Sequence, residues 1–312
     1  MSTIVLTGAS GFVGSAVFEA LGAHDLKIIG RGDCRLVEED CFLRSDMSAC
    51  TDYGEFLEEA DYVVHCAAKV HLLDDHCVDP LSKFREVNTV GTINLARQAA
   101  AAGVKRFIFI SSVKVNGELT QQGKPFTSSD EPSPIDPYGI SKYEAEQGLH
   151  RISKETEMEF VIIRPPLVYG RGVKANFATM MRVAEKNFPL PFGTINNRRS
   201  LVHLDNLVNL IITCIDHPKA GNQTFLVSDG CDVSTKKMMT ELTRAAGKEP
   251  CLFSVPSKLL TIALSIIGKK AIADRLCGNL QVDISHTKET LGWLPPVSFE
   301  QGIARCFEKT DK

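Results

Sequence analysis

Short apolar runs alternate along the chain with longer segments in which apolar residues recur at helical spacing. The runs are rich in β-branched side chains and lie at residues 3–6, 26–29, 61–68, 106–112 and 160–164. The helical segments lie at about residues 13–21, 86–102 and 138–154. Apolar runs of this length are typical of strands buried in a parallel sheet. Their alternation with helices predicts an α/β fold built on a doubly wound parallel sheet.

A glycine-rich turn links the first predicted strand to the first helix. Gly8 suits a tight turn, Gly11 lets backbone N–H groups approach a pyrophosphate, and Gly14 allows close packing of helix on strand. The positive end of the helix then points at the phosphates. This context predicts a Rossmann-like site for NAD(P). The cofactor-binding residues predicted in the turn are Gly8, Ser10, Gly11, Phe12, Val13 and Gly14.

The chain is expected to form a large domain and a smaller lobe. It has 312 residues, of which 44% are hydrophobic, and can therefore bury a large core. Residues 1–170 are predicted to form the NAD(P)-binding domain, with its sheet completed by segments around 200–230. Residues 171–312 are predicted to form mainly a C-terminal substrate-binding lobe. Ligands are expected at the carboxyl ends of the strands.

Tyr138 and Lys142 open the helix predicted at 138–154. Residues four apart share one face of a helix, so the Lys142 ammonium is expected beside the Tyr138 phenol. A neighbouring positive charge lowers the pKa of a phenol, which makes it a usable acid or base. Such pairs also occur by chance as solvated side chains, and it is the preceding phosphate turn that indicates hydride chemistry.

Composition excludes several classes of function. The net charge is −3 and no basic run is present, so nucleic acid is not an expected partner. The ten cysteines form no Cys-x-x-Cys and no Cys/His cluster at zinc spacing, so no metal site is predicted. The first strand begins almost at Met1, which leaves no room for a secretory signal. We therefore expect a cytoplasmic enzyme with reduced cysteines.

Further motifs follow the phosphate turn in a recognisable order. They are Asp46, His65-Cys-Ala-Ala68, Asn88-x-x-Gly91-Thr92, Ser111-Ser112, Tyr138-Gly-Ile-Ser-Lys142, Arg164-Pro-Pro-Leu-Val-Tyr-Gly170 and Leu291-Gly292-Trp293-x-Pro295. With the turn itself, they resemble the extended short-chain dehydrogenase/reductases, specifically the nucleotide-sugar epimerases and reductases. The resemblance spans nearly the whole chain and implies hydride transfer between NAD(P) and a UDP-sugar.

The resemblance implies a role for each matching residue of the first half. Ser112 matches the hydroxyl that hydrogen-bonds the reacting sugar oxygen, and Tyr138 matches the acid or base. Lys142 matches the residue that binds the nicotinamide ribose and tunes the phenol. Asp46 matches the residue that holds the adenine, and Ala67 lies in the cofactor site.

Residues of the second half resemble contacts to the nucleotide diphosphate. Asn176 matches one such contact, and Arg199 matches the arginine that clamps the diphosphate, because a guanidinium offers two donors to two oxygens. Arg198 is interpreted as a solvated neighbour, although the reverse assignment stays open. His203 is interpreted as a packed structural histidine.

Two departures from the family pattern bear on the reaction. Dehydratases carry an acidic pair directly after the catalytic hydroxyl residue, and this chain has Val113 and Lys114 there, so dehydration is not expected. An NAD enzyme usually has an acid at the end of the second strand, whereas this chain has Gly30 followed by Arg31. Arg31 suits the 2′-phosphate of NADP, and the sequence therefore leans toward NADP. Asp33 stays open as an alternative ligand of the ribose.

The favoured function is a UDP-4-keto-6-deoxy-N-acetylhexosamine 4-reductase of bacterial surface polysaccharide synthesis. The alternative is a UDP-glucose or UDP-N-acetylglucosamine 4-epimerase with tightly bound NAD. A non-catalytic dinucleotide-binding sensor ranks lower, because Ser112, Tyr138 and Lys142 are all present. Reductases of non-nucleotide substrates also rank lower, because they have no use for Asn176 and Arg199.

Residues 259–267 form an apolar run flanked by Lys258, Lys269 and Lys270. The run is well short of the ~20 residues of a membrane-spanning helix, so a buried helix of the substrate lobe is expected. Peripheral membrane contact is the weaker alternative. The helices at 86–102 and 138–154 resemble those of dimeric relatives and are candidates for a homodimer interface.

Overall fold

The structure is a computed structural model and describes residues 2–22, 24–32, 37–70, 79–266 and 268–308. The described strands are β1 Thr3–Thr7, β2 Asp25–Gly30, β3 Phe42–Arg44, β4 Tyr62–His65, β5 Arg106–Ile110, β6 Glu159–Arg164, β7 Leu167–Tyr169, β8 Arg199–His203, β9 Gln223–Leu226 and β10 Asp232–Val233. The described α-helices are α1 Phe12–Ala20, α2 Gly54–Leu57, α3 Pro80–Phe84, α4 Thr92–Ala101, α5 Pro137–Glu155, α6 Ala175–Lys186, α7 Leu204–Asp216, α8 Thr235–Ala245, α9 Ser257–Ile266, α10 Lys270–Cys277, α11 Ser285–Leu291 and α12 Phe299–Arg305.

Seven strands form one parallel sheet in the order β3-β2-β1-β4-β5-β6-β9. The chain runs from β1 outward to β3 and then returns to β4 on the other side of β1. The strand order therefore reverses between β1 and β4, and doubly wound sheets bind their ligands beyond the carboxyl ends of the strands at such a point. The predicted α/β, doubly wound, Rossmann-like fold is confirmed.

Helices cover both faces of this sheet. Leu6 of β1 and Ile108 of β5 belong to the core on the face covered by α1 and α7. Val5 and Phe109 belong to the core on the face covered by α4 and α5. Successive side chains of a strand point to opposite faces, so both faces of β1 and β5 must be apolar. This double burial explains the uninterrupted apolar runs of the sequence.

A smaller lobe has a sheet and a core of its own. β8 pairs with β7 in parallel and with β10 in antiparallel orientation. α6, α8 and α12 surround a core that includes Phe177, Met239 and Phe299. β9 pairs with β6 in the large sheet, so the chain beyond β7 contributes strands to both sheets. The domain boundary at residue 170 remains a prediction.

The helix expected at 86–102 begins differently in the structure. Its first part is a π-helical turn, Arg85–Gly91, and only the second part is the α-helix α4. Asn88 in this turn is buried and donates to the Lys69 carbonyl oxygen and the Ser141 hydroxyl, each at 3.0 Å. The turn thus ties the loop after β4 to α5 through a tertiary contact that periodicity does not reveal.

The prediction that the apolar run 259–267 forms a buried helix is wrong for α9. No residue of α9 is buried, and Leu259, Ile262 and Ile266 are 58%, 55% and 80% exposed. α9 packs chiefly against α10, and the remainder of the lobe leaves one of its faces uncovered. In the part of the chain that the structure describes, no helix has both the length and the apolar character needed to cross a membrane.

Candidate active site

Two glycines keep the phosphate turn open at the carboxyl end of β1. Gly8 has a left-handed φ of +75°, and a Cβ there would lie 2.6 Å from the backbone nitrogen of Ala67. A Cβ at Gly14 would lie 2.1 Å from the Gly8 carbonyl oxygen. Gly11 is the N-cap of α1 and no side chain caps that helix, so its first N–H groups suit a phosphate. The turn fits the pyrophosphate of a dinucleotide. The other predicted contacts here are Ser10 in the turn and Phe12 and Val13 at the start of α1.

A buried histidine, His65, hydrogen-bonds a residue that lies next to the phosphate turn. His65 ends β4, and its ring nitrogens hydrogen-bond Thr7 Oγ1 at 2.7 Å and Thr92 Oγ1 at 2.9 Å. Burial lowers the pKa of His65 to about 3, so the neutral ring donates to one hydroxyl and accepts from the other. Thr7 Oγ1 also accepts the Ala67 N–H at 3.1 Å. The ends of β1 and β4 are therefore locked together where the strand order reverses.

Arg31 and Asp46 lie together at the edge where the adenine is expected. Their side chains are 85% and 76% exposed, and Arg31 Nε is 3.9 Å from Asp46 Oδ1. Gly30 ends β2, so no side-chain carboxylate stands at the usual ribose-binding position. Both predicted residues thus follow neighbouring strands, β2 and β3, with the exposure that a ligand contact needs. Asp33 lies outside the described residues.

The predicted catalytic residues come from two elements that meet at the end of β5. Ser112 follows β5, and its hydroxyl accepts the Lys114 N–H at 3.2 Å to cap a short 3₁₀ turn. Tyr138 lies in the first turn of α5, which is capped by Asp136. Gly139 permits the close approach, because a Cβ there would lie 3.0 Å from the Lys114 carbonyl oxygen. The helix start therefore packs directly on the serine turn.

Lys142 anchors α5 to the same strand end. Its Nζ donates to the carbonyl oxygen of Ile110, the last residue of β5, at 2.8 Å, and lies 4.3 Å from the ring centre of Phe109. Burial lowers the pKa of Lys142 to about 7. The three predicted catalytic residues consequently share one edge of the sheet, and the lysine changes charge near neutral pH.

The expectation that the pKa of Tyr138 is lowered is contradicted in this structure. Burial raises the pKa of the phenol, and the Asp136 carboxylate adds to the rise. The Lys142 ammonium donates to a backbone carbonyl oxygen. The neutral phenol is therefore favoured, and Tyr138 must lose its proton before it can accept one from a substrate.

Val113 and Lys114 occupy the positions of the acidic pair that dehydratases of this family carry. Val113 is buried in the core on one face of the sheet. Lys114 Nζ forms an ion pair with Asp136 and lies 3.9 Å from Glu118 Oε1. Neither position offers a carboxyl group, and the absence of dehydratase activity remains a prediction. The Lys114 ion pair instead holds the serine turn against the start of α5.

A buried ion pair behind the catalytic residues was not predicted from the sequence. Arg164 on β6 donates to both carboxylate oxygens of Glu146 on α5, at 2.5 and 3.0 Å. Ser111 donates to Glu146 at 2.5 Å, and Arg164 also donates to the Asn116 side chain at 3.1 Å. The network joins α5 to both ends of the serine turn. One available signal was Glu146 itself, four residues after Lys142 on the same face of the helix.

The predicted diphosphate residues lie on different elements of the lobe. Arg199 begins β8, is partly buried and donates to the Gly278 carbonyl oxygen at 3.2 Å. Asn176 is exposed in the first turn of α6. Within the described residues no hydrogen bond joins Asn176 to Arg199. The structure therefore places both residues in the lobe without bringing them into contact.

A polar cavity of about 250 Å³ opens beside Arg198, the residue that precedes Arg199. Its lining includes Arg198, Asn279 and Ser257 at the start of α9. Burial lowers the pKa of Arg199, and the charge of Arg275 on α10 lowers it further. Among the described residues Arg275 has no carboxylate partner, so the two guanidinium groups suit an anion bound between them. Arg275 is thus an additional candidate contact, which the sequence offered no motif to find.

Other side chains of chemical interest have structural surroundings. In the part of the chain that the structure describes, no group of three His, Cys, Asp or Glu side chains is arranged to hold a metal ion. The eight cysteines of that part are free thiols. His203 is 2% exposed, and its ring centre lies 5.2 Å from that of Tyr169. This packing agrees with its interpretation as a structural histidine.

Residues 4–228 match the family described as "NAD dependent epimerase/dehydratase family". The match covers well over half of the chain and includes the phosphate turn, Ser112, Tyr138 and Lys142. The chain therefore belongs to the NAD-dependent epimerase/dehydratase family of extended short-chain dehydrogenase/reductases and is an enzyme of that family. The predicted family is confirmed, and so is a nicotinamide dinucleotide as its cofactor.

Individual relatives extend over nearly the whole chain. A UDP-glucose 4-epimerase of Vibrio cholerae is 52% identical over 305 residues, covering 96% of this chain and 93% of the relative. The N-acetyl-alpha-D-glucosaminyl-diphospho-ditrans,octacis-undecaprenol 4-epimerase of Escherichia coli O157:H7 is 27% identical over 323 residues, covering 98% and 94%. The structure of the Thermotoga maritima UDP-glucose 4-epimerase with UDP-glucose has a TM-score of 0.74 at 23% identity and covers 97% of each chain. That last likeness is one of fold.

Proposed function

We propose that the protein is a 4-epimerase that inverts C4 of UDP-glucose or UDP-N-acetylglucosamine and retains NAD. The observation that carries the proposal is the 52% identity, over 96% of the chain, to the Vibrio cholerae UDP-glucose 4-epimerase. The Escherichia coli relative is also named as a 4-epimerase of a sugar joined to a diphosphate. Both relatives are named for epimerisation at C4, which was the alternative interpretation of the sequence.

Epimerisation at C4 removes a hydride from the carbon and a proton from its oxygen, and returns both after the sugar presents its other face. NAD, when bound, supplies the acceptor and then the donor of the hydride. Tyr138, as the phenolate, takes the hydroxyl proton, becomes the phenol and later gives the proton back to the same oxygen. Ser112 hydrogen-bonds that oxygen and orients it toward Tyr138. The positive charge of Lys142 favours the phenolate that must be present before the first transfer.

The nucleotide is assigned to the C-terminal lobe. We infer that Arg199 and Arg275 hold the UDP diphosphate, because an anion between them removes the repulsion of two nearby guanidinium groups. Asn176 is the third proposed contact, from the exposed start of α6. Arg198, on the wall of the adjoining cavity, is the fourth. Replacing Arg275 with Ala is expected to raise KM for the UDP-sugar more than it lowers kcat.

The 4-keto reductase favoured by the sequence has less support than the epimerase. The relatives described above are named as epimerases, and the family description names NAD. The lean toward NADP depended on Arg31, whose exposed side chain suits stacking on adenine as well as contact with a 2′-phosphate. We therefore infer NAD as the resident cofactor. Preference for NADP remains a prediction, tested by dissociation constants for both nucleotides with and without Arg31→Ala.

The test is an assay of purified protein without added cofactor. UDP-glucose and UDP-N-acetylglucosamine are supplied separately, and ¹H NMR follows the appearance of UDP-galactose or UDP-N-acetylgalactosamine. Mass spectrometry of the denatured protein is expected to find stoichiometric NAD. If neither epimer forms, while a UDP-4-keto sugar is reduced with consumption of NADPH, the protein is the reductase.

The assembly state also stays a prediction. The helical segments expected to pair in a homodimer are α4 with its preceding π-helical turn, and α5. Sedimentation velocity measures the assembly state of the parent protein and of Arg97→Glu. If α4 forms the interface, this charge reversal is expected to shift a dimer toward monomer. An unchanged dimer in that variant would place the interface elsewhere.

A further inference from the structure

We propose that α9 and α10 form a membrane-docking hairpin that seats the C-terminal lobe on an anionic bilayer surface. The hairpin is defined as residues 257–266 and 270–277. This inference goes beyond the proposed epimerase activity and does not depend on it.

The first observation is an apolar helix without cover. α9 carries large aliphatic side chains on opposite sides, since Leu260 and Leu264 are half-buried while Leu259, Ile262 and Ile266 are largely exposed. Large aliphatic side chains on the surface of a helix normally pack against protein or lipid. Among the described residues, α9 packs chiefly against α10, and none covers the side that carries Leu259, Ile262 and Ile266. This exposed side is therefore available to a partner.

The exposed side chains form one continuous stripe. At about 100° per residue, positions 259, 262 and 266 fall within roughly 60° of one another around the helix axis. Ile272 on α10 is 42% exposed and adds a fourth large aliphatic side chain to the hairpin. A helix of this length extends about 15 Å, too short to cross a bilayer but suited to lie in its surface.

The charges beside the stripe identify the partner. Residues 251–278 carry four basic side chains and one acidic side chain, in a chain whose net charge is −3. Lys258 lies on α9, and Lys269 and Lys270 follow its last turn. An apolar stripe bordered by lysines complements acyl chains below and anionic headgroups around them. A second copy of the same hairpin would instead bring like charges together, which disfavours self-association.

The hairpin also adjoins the proposed substrate site. Ser257, the first residue of α9, lines the cavity that contains Arg198, and Arg275 of α10 is the electrostatic neighbour of Arg199. Docking through the exposed stripe therefore places the lobe that carries the proposed substrate site at the bilayer surface. The enzyme would then take or release its sugar at the membrane surface.

The test is flotation of the full-length protein with vesicles of phosphatidylcholine, with or without phosphatidylglycerol. We expect flotation that requires phosphatidylglycerol and weakens with salt. The Ile262→Glu/Ile266→Glu variant is expected to lower the partition coefficient by more than about tenfold. Lys269→Ala/Lys270→Ala is expected to lower it by about tenfold.

Leu294→Glu is the matched control, because Leu294 is 66% exposed on the loop after α11. It is expected to float like the parent protein. Melting temperature and turnover of a soluble UDP-sugar establish that every variant is folded. Equal flotation of the parent and the α9 variant would overturn the proposal. It would also be overturned if the parent does not float and the α9 variant changes only the sedimentation coefficient, because the partner would then be a second copy.

Discussion

The phosphate turn is closely packed by the rest of the protein, whereas one side of the α9–α10 hairpin is exposed to solvent. At the turn, a single methyl group on Gly14 would overlap the Gly8 carbonyl, and His65 is hydrogen-bonded through both ring nitrogens. On the hairpin, Ile262 and Ile266 are mostly exposed to solvent, although they are as apolar as any core residue.

The difference indicates where each region finds its partner. A cofactor site needs fixed backbone groups, so the surrounding protein encloses and bonds every element of the turn. An apolar face that the chain itself leaves uncovered gains stability only when something else covers it. Substitutions should therefore affect catalysis and folding in the first region and association in the second.

The largest expected contrast is catalytic. Tyr138→Phe removes the group that moves the proton and is expected to lower kcat by about 10²- to 10⁴-fold while NAD stays bound. Tyr143→Phe on the same helix is the matched control and is expected to stay within about twofold. Ile262→Glu on the hairpin is expected to leave turnover of a soluble UDP-sugar unchanged. Full activity of Tyr138→Phe would remove the proposed mechanism.

The next contrast is between two glutamates of α5. Glu146 pairs with Arg164 in the interior, and the side chains are 1% and 5% exposed. Glu146→Gln leaves a buried guanidinium without its counter-charge and is expected to cost about 3–5 kcal/mol of unfolding free energy. Glu144 pairs with the exposed Arg85, so Glu144→Gln is expected to have little effect. Equal melting temperatures for the two variants would contradict this account of the network.

The same substitution made at a buried isoleucine of the large sheet and at an exposed isoleucine of the hairpin gives a third contrast. Ile108 is 0% exposed in β5, and Ile108→Ala is expected to cost about 2–5 kcal/mol through lost burial and the cavity it leaves. Ile262 is 55% exposed in α9, and Ile262→Ala is expected to stay within about 0.5 kcal/mol. Chemical denaturation without lipid measures both. A large loss of unfolding free energy in Ile262→Ala would mean that other parts of the protein cover α9.

The smallest contrast is a pH dependence carried by Lys142. Its pKa is lowered from 10.5 to about 7, so the unfolded chain binds more protons than the folded chain between these values. The stability of the protein should therefore rise with pH in this window, by up to ~1.4 kcal/mol per unit from this residue. Chemical denaturation of the parent protein at several pH values is compared with that of Lys142→Met. The variant should lack this rise of the unfolding free energy with pH. Measurements stop below pH 10, because the raised pKa of Tyr138 reverses the trend above its ordinary value of 10.0.

Local signals predicted the fold of the N-terminal half of the molecule well. The glycines of the phosphate turn act through contacts between near neighbours in sequence, and the Tyr138–Lys142 spacing is set by one helix. Apolar runs identified the strands of the sheet because both faces of the sheet are buried. These features need no knowledge of the distant chain.

Features that depend on distant segments were missed or misjudged. The pairing of Glu146 with Arg164 joins a helix to a strand, and no local pattern specifies it. The pKa of Tyr138 depends on how much solvent the folded chain removes, which spacing does not reveal. Burial of α9 was expected from its composition, but composition does not say whether the fold supplies a covering surface.

The most direct test of the central claim is the fate of the hydrogen on C4. UDP-glucose labelled with deuterium at C4 is incubated with the purified protein in ordinary water, without added nucleotide, and the products are read by NMR and mass spectrometry. The account predicts UDP-galactose that keeps the deuterium at C4, because the enzyme returns the same hydride to the opposite face. Product that has exchanged its label with solvent, or the absence of UDP-galactose and of the corresponding N-acetyl epimer, would contradict it.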